Sequence, residues 1–133
     1  MENEINTSVE QEWQWCLVGN IVDAHKYGEE HTIKYGNKQF RPGAKVYINL
    51  VYGGMAHENI LVIGLPRRSS KYIEIVIARK YVCDFRLKKV FKPAVLEKMK
   101  NSQWDWWGQS DESHDRIIGC LDWLNTEAEQ YKI

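Results

Sequence analysis

The chain has 133 residues, which suits one domain with a sizeable hydrophobic core. A hydrophobic content of 44% excludes a disordered chain, and the balance of 18 Lys plus Arg against 18 Asp plus Glu excludes a strongly basic or polyanionic protein. No stretch offers the roughly 18 apolar residues of a membrane helix. The polar, acidic residues 1–12 lack the pattern of a signal peptide. We therefore expect a cytoplasmic protein with no membrane partner.

The neutral total conceals a segregation of charge along the chain. Residues 1–64 carry five basic and eight acidic groups, a net charge of −3. Residues 65–101 carry eleven basic and three acidic groups, a net charge of +8, and residues 102–133 carry two and seven, a net charge of −5. Two interpretations remain open: the acidic C-terminal segment pairs with the basic strands inside the fold, or the segments face different charged partners.

The first strong element in chain order follows a flexible lead-in of residues 1–12. Residues 13–22 alternate with apolar side chains on both faces, for example Leu17 on one and Val18 on the other. Apolar residues on both faces predict a strand that is buried centrally or wrapped in a barrel. Gly19, in the middle of the strand, predicts a bulge or bend of the kind that closes small barrels.

Further short strands follow, separated by turn signals. Residues 31–40 predict a hairpin around the Gly36-Asn37 turn, and the Arg41-Pro42-Gly43 run predicts a type II turn. Alternation then predicts strands over residues 44–52, 58–65, 71–79 and 81–91. In the last of these strands, the alternation places Cys83, Phe85 and Leu87 inside and Asp84, Arg86 and Lys88 outside.

The period changes to helical after Pro93. A short helix over residues 93–100, a tryptophan-rich connector and a final helix over residues 111–131 are predicted, with Ser110 as its N-cap. Gly119 weakens the last helix and suggests close packing there. The fold class is therefore α+β, mainly β: a small antiparallel SH3-like barrel of five or six strands followed by two C-terminal helices. Residues 13–133 form one domain, with the barrel at 13–92 and a helical cap at 93–133.

Three segments carry a resemblance to other proteins: W-C-L-V-G-N-I-V at residues 15–22, F-R-P-G-A-K-V-Y-I at 40–48 and E-N-I-L-V-I-G at 58–64. The chain resembles a group of small, uncharacterised bacterial proteins that share a W-C-L-V-G-N-I opening and an F-x-P-G-x-K-V-Y strand. In size and architecture these are similar to the immunity proteins that accompany bacterial toxins. The resemblance covers most of the chain and implies a protein-binding role, but it brings no catalytic residue.

Catalytic and cofactor motifs are absent from the sequence. Its three cysteines, Cys16, Cys83 and Cys120, lack the spacing of a zinc site or disulfide framework and read as small apolar residues. The best acid–base dipeptide is His57-Glu58, yet adjacent residues of a strand point to opposite faces. We expect no catalytic residue, metal or cofactor; an enzyme with an unrecognised site near His57 is the least favoured alternative.

Two groups of residues are candidates for binding a partner. The first is a basic stripe at the turns and outer face of the later strands: Arg67, Arg68, Lys71, Arg79, Arg86 and Lys88. The second is the connector's three tryptophans, since Trp dominates interface hot spots: Trp104, Trp106 and Trp107. For the tryptophans we expect two in the core and one exposed. The alternative to a binding role for the basic stripe is that its side chains are solvated on an edge strand, where lysines prevent unwanted strand pairing.

These features give a first hypothesis and a second. The first is a non-enzymatic bacterial protein that binds another protein, such as an immunity protein that neutralises a cognate toxin through complementary charge. The second is a nucleic-acid-binding SH3-like module that uses the basic strands of residues 67–89 for phosphates, although the acidic ends of the chain would repel a polyanion.

Overall fold

The computed structural model describes residues 11–22, 40–49 and 59–130, with side chains up to Asn125. The predicted hairpin of residues 31–40 lies almost entirely outside this part of the chain, as does residue 57. The described strands are β1 (Gln14–Ile21), β2 (Lys45–Asn49), β3 (Asn59–Gly64), β4 (Ile73–Ala78) and β5 (Val82–Val90), with one 3₁₀ turn (Arg79–Tyr81) before β5. Its helices are α1 (Pro93–Lys100) and α2 (Asp111–Gln130).

The five strands form one antiparallel sheet in the order β4-β3-β2-β1-β5. The predicted α+β, mainly β class is confirmed, and β1 lies between β2 and β5, as expected of a centrally buried strand. Within the described ranges, β4 and β5 are the two outer strands and no ladder joins them, so the closed SH3-like barrel is not confirmed.

A bulge interrupts the pairing of β1 with β5 at Gly19, as the sequence predicts. The register slips between Val18 and Asn20, and on β5 the extra residue is Asp84, in the left-handed region at φ 56°. A Cβ at position 19 would lie 2.5 Å from Val82 Cγ1, so the bulge leaves no room for a side chain. The slip also corrects one prediction: Val82, rather than Cys83, enters the core, because alternation fails across a bulge.

Apolar side chains cover both faces of the sheet, and each face carries one helix. On one face α2 contributes Ile117 and Leu124 to a cluster with Leu17 and Phe85. On the other face α1 contributes its predicted apolar side to a second cluster with Val18. The two helices of the predicted helical cap thus pack on different faces of the sheet, and residues 101–110 connect them.

The long helix α2 begins as predicted and departs from prediction in its middle. Ser110 Oγ accepts a hydrogen bond from the Ser113 N–H at 3.0 Å, which is the expected N-cap. Gly119, however, is exposed, and a Cβ added at this position would have no atom within 4 Å, so the suggested close packing at this glycine is wrong. The neighbouring Ile118 is 49% exposed and lies outside the apolar stripe.

Candidate binding groove

A groove of about 950 Å³ opens at the end of the sheet where β2 begins and β3 turns into β4. It lies among the turn at residues 41–44, the β3–β4 turn at residues 65–70 and the residue before α1. We call it the basic groove. Its lining includes four exposed cations: Arg41, Lys45, Arg68 and Lys92. No Asp or Glu occurs among the described residues that line it, so its electrostatic potential favours anions.

The strand meander explains how distant parts of the chain reach this groove. Tyr47 of β2 pairs with Ile63 of β3, which pairs with Glu74 of β4, so the three side chains share a row on the α1 side. The residues two positions before Tyr47 and Glu74 continue the same face, which places Lys45 of β2 and Tyr72, directly before β4, beside this row. Two strands that never pair with each other thereby contribute to one surface.

Two tyrosines form the floor of the groove. The rings of Tyr47 and Tyr72 meet edge to face, with centroids 6.5 Å apart and planes at 61°. Each ring also has a lysine over it: Lys45 Nζ lies 5.6 Å from the Tyr47 centroid, and Lys92 Nζ lies 6.0 Å from the Tyr72 centroid. Burial, with smaller contributions from the charges of Tyr72 and Cys16, raises the pKa of Tyr47 to about 12. Its hydroxyl therefore stays a neutral hydrogen-bond donor at physiological pH.

The turns that border the groove hold their cations in defined conformations. The predicted turn at Arg41-Pro42-Gly43 is confirmed, since Gly43 has φ 83° and the Ala44 N–H donates to the Arg41 carbonyl at 3.0 Å. In the β3–β4 turn, Arg68 itself lies in the left-handed region at φ 58°. Glycine adopts this conformation without the steric cost that arginine incurs, so an arginine here is unfavourable to the turn itself.

The predicted basic stripe does not form one surface. Arg68 lines the groove, and at the same turn Arg67 Nε donates to the Phe40 carbonyl at 3.2 Å while Lys71 is exposed. Arg79, by contrast, is only 2% exposed and lies over the Trp123 ring at 4.7 Å, so it belongs to the core.

The remaining stripe residues lie on β5, away from the groove. Arg86 Nη1 donates to Asn20 Oδ1 and to the Asp84 carbonyl, both at 2.7 Å, and so holds the β1–β5 bulge. Lys88 is exposed on this outer strand. The residues of the predicted basic stripe therefore lie in four different places: at the groove and its turn, in a core contact, at the bulge and on the edge strand.

All three connector tryptophans are half-buried, unlike the expected division into two core residues and one exposed. Trp106 packs on the α1 side of the sheet and donates from Nε1 to Glu74 Oε2 at 3.0 Å. Trp107 packs on the α2 side, with the Arg116 guanidinium 5.9 Å from its ring centre. Trp104 donates its backbone N–H to Ser102 Oγ at 3.0 Å. The connector is fastened to both faces of the sheet, which fits a structural role for most of its indole area.

Most of the groove was not identified from the sequence. Arg41, Lys45, Tyr47 and Lys92 come from separate turns and strands, and none belongs to the basic stripe predicted at the turns and outer face of the later strands. The available signal was the alternation in β2, which puts Lys45 and Tyr47 on one face directly after a predicted turn. Combining these residues with those near β4 requires the sheet order, in which β2 and β4 flank the same strand, β3.

Reactive side chains do not assemble elsewhere in the described ranges. These contain no group of three or more His, Cys, Asp or Glu residues placed to hold a metal ion. Cys16 is buried, and desolvation raises the pKa of its thiol to about 12, which leaves almost no thiolate at neutral pH. Burial also raises the pKa of Cys120.

The chain matches no protein-family model, and comparisons with curated proteins and with solved structures found no significant match. Among the helices that the structure describes, none combines the length and apolar character that crossing a membrane requires. The groove geometry is therefore the observation on which a functional proposal rests.

Proposed function

We propose that this chain is a non-enzymatic binding domain that recognises an acidic surface of another protein through the basic groove. The observation that carries the proposal is the grouping of four exposed cations around two tyrosines with no carboxylate among the described lining residues. Arginine and lysine at the rim attract carboxylates from a distance, while the half-buried Tyr72 supplies contact area and a hydroxyl donor. The left-handed Arg68 supports this function, because strained residues concentrate at functional sites.

A protein partner suits this groove better than a nucleic acid. Single-stranded nucleic acids gain affinity by stacking bases on open aromatic faces. Tyr47 is only 4% exposed, and a lysine already lies over the ring of each groove tyrosine. In the predicted phosphate-binding stripe, Arg79 is buried and Arg86 is engaged at the bulge. Phosphate binding by the four cations is the remaining basis for the nucleic-acid alternative.

The resemblance to immunity proteins suggests what the acidic partner is. We infer a toxin that this chain neutralises by occupying its surface, with complementary charge accelerating association. The test is co-expression with the product of the neighbouring gene. Charge reversal at Lys45 and Lys92 should abolish protection of the cell, whereas reversal at Lys88 should not. Full protection by both variants would exclude the groove as the toxin-binding surface.

The SH3-like barrel is retained as part of this proposal only in a partly open form, in which β4 and β5 are not joined within the described residues. The pairing of β1 with both β2 and β5 supports it, as does the bulge on β5 opposite Gly19. The enzyme alternative near His57 concerns a position outside the described residues. His57→Ala and Glu58→Ala variants that keep full biological activity would dismiss that alternative.

Direct binding to an acidic probe tests the groove without knowledge of the partner. We would titrate a peptide of eight glutamates into the protein at about 20 mM and about 300 mM salt by calorimetry. The double variant Lys45→Gln, Lys92→Gln removes two groove charges, and Lys88→Gln, Lys98→Gln removes two exposed lysines elsewhere as the matched control. We expect the protein to bind the peptide at low salt. The affinity should fall by about tenfold or more in the groove variant and stay unchanged in the control variant. Equal losses in both variants would overturn the proposal.

A further inference from the structure

The two edges of the sheet differ in how they are protected against pairing with another strand. At the β5 edge the chain has a bulge at Asp84, followed by Arg86 and the exposed Lys88 and Lys89. Bulges and edge lysines are devices by which proteins prevent an extra strand from adding to a sheet. The β5 edge is thus blocked.

The β4 edge has none of these devices within its own six residues, I-E-I-V-I-A. Its ladder with β3 is continuous from Gly64 opposite Ile73 to Asn59 opposite Ala78, with no register shift. Its only charge, Glu74, is held on the α1 face by Ser102 Oγ at 2.7 Å and by Trp106 Nε1. The side chain of Glu74 is therefore drawn away from the edge.

Apolar side chains remain accessible along this edge. Val76 is 37% exposed, and Ile73 and Ile75 are only half-buried although both pack on the α2-side core. Within the described ranges β4 is an outer strand with an uninterrupted register and many β-branched residues. Such a strand offers a row of backbone groups and a row of apolar contacts, which are the requirements for β-strand addition.

Both ends of β4 are basic, and the basic groove adjoins its start. β4 begins at Ile73, and two residues that line the groove precede it: Arg68 by five positions and Tyr72 by one. Lys80 lies just beyond the other end of the strand. A strand lying along β4 would therefore pass from an apolar centre into positive potential at each end, and its first or last side chains would enter the groove.

We propose that the β4 edge accepts an extended segment of the partner as a sixth strand, with an apolar centre flanked by acidic residues. This inference rests on the proposed function, because the acidic residues of the segment occupy the basic groove. Backbone hydrogen bonds to β4 supply sequence-independent affinity, and the cations at the two ends select the partner.

Charge decides against a second copy of this chain as the occupant. Symmetric antiparallel pairing of β4 with β4 of another copy would bring Lys71 of one chain near Lys80 of the other, twice. Like charges facing each other across a strand pair are destabilising. An acidic partner strand converts the same two positions into attractive contacts.

The test uses the full chain and the peptide Glu-Glu-Val-Thr-Val-Thr-Val-Glu-Glu. Amide hydrogen exchange of β4 is measured with and without saturating peptide. Two control peptides of the same sequence carry N-methyl groups on alternate backbone nitrogens, one along each edge of the peptide strand. We expect exchange of alternate β4 amides to slow by about tenfold or more, and methylation of one edge, but not the other, to weaken binding by at least about tenfold.

The outcomes separate this inference from the proposed function. Salt-sensitive binding that requires Lys45 and Lys92 but leaves β4 exchange unchanged would overturn strand addition and keep the groove. Protection of β5 amides instead, or equal binding by both methylated peptides, would also overturn strand addition. Failure of this peptide and of the glutamate peptide to bind at low salt would overturn both proposals.

Discussion

The rings of Tyr47 and Tyr72 meet edge to face at 6.5 Å although they lie on β2 and directly before β4, two strands that β3 separates. This contact joins the second apolar cluster, to which Tyr47 belongs, with the floor of the basic groove. Changes in the groove are therefore coupled to the packing of α1, and changes in stability must be measured alongside changes in binding.

Stability should fall at alkaline pH because two buried acids keep their protons in the folded state. Burial raises the pKa of Cys16 from 9.0 to about 12 and that of Tyr47 from 10.0 to about 12. Below the unfolded pKa both states hold the proton, and the stability has its full value. Between the unfolded pKa and the folded pKa the unfolded state releases the proton while the folded state keeps it, so the stability falls as the pH rises through this range. The free energy of unfolding should hence decline from about pH 9 towards pH 12.

Urea titrations at several pH values check this decline. Cys16→Ala and Tyr47→Phe each remove one ionisable group, so each should flatten the decline. At neutral pH, Cys16→Ala should lower the free energy of unfolding by about 1 to 2 kcal/mol through lost packing, whereas Tyr47→Phe keeps the ring and should change it by about 1 kcal/mol or less. A decline of unchanged slope in both variants would show that other groups cause it.

Two glycines should respond in opposite directions to alanine. Gly119 lies exposed within α2 with open space around it, so Gly119→Ala should raise the free energy of unfolding by about 1 kcal/mol. Gly19 lies against Val82 Cγ1 and, at 3.0 Å, the Cys83 carbonyl oxygen, so Gly19→Ala should lower it by about 1 to 3 kcal/mol. Chemical denaturation of the two variants provides the comparison, and a stabilising Gly19→Ala would contradict the described bulge.

The Trp106–Glu74 hydrogen bond should fasten the connector to β4. Trp106→Phe removes the Nε1 donor and Glu74→Gln weakens the acceptor, so the two changes should be non-additive by about 1 kcal/mol in a double-mutant cycle. Combining Trp106→Phe with Glu97→Gln is the control, since Glu97 accepts from Asn101 Nδ2 instead. Additive effects in both cycles would argue against the bond in solution.

Local pattern predicted the elements well and the site poorly. Apolar alternation on both faces identified β1, Pro93 and Ser110 marked helix starts, and Gly19 marked the bulge. Where a prediction failed, a non-local effect was responsible. The bulge at Asp84 reversed which neighbour enters the core, and Arg79 became buried because α2 brings Trp123 over it.

The groove required pairing information that spacing does not contain. Lys45 lies on β2 and Tyr72 directly precedes β4, and only the sheet order, with β3 between these strands, brings their faces together. Net charge by segment pointed to residues 65–101, but charge in the groove also comes from Arg41 and Lys45, which belong to the acidic first segment. Summing charge along the chain therefore hid half of the groove's cations.

A single substitution, Arg68→Gly, tests the basic groove as the binding site when stability and binding are both measured. Glycine suits φ 58° better than arginine, so the free energy of unfolding should stay unchanged or rise by up to about 1 kcal/mol. Affinity for the eight-glutamate peptide at low salt should fall by about fivefold or more, because a groove cation is lost. A variant that is more stable and binds less would show that Arg68 is retained for binding. A variant that binds the peptide as well as the parent chain would contradict the basic groove as the binding site.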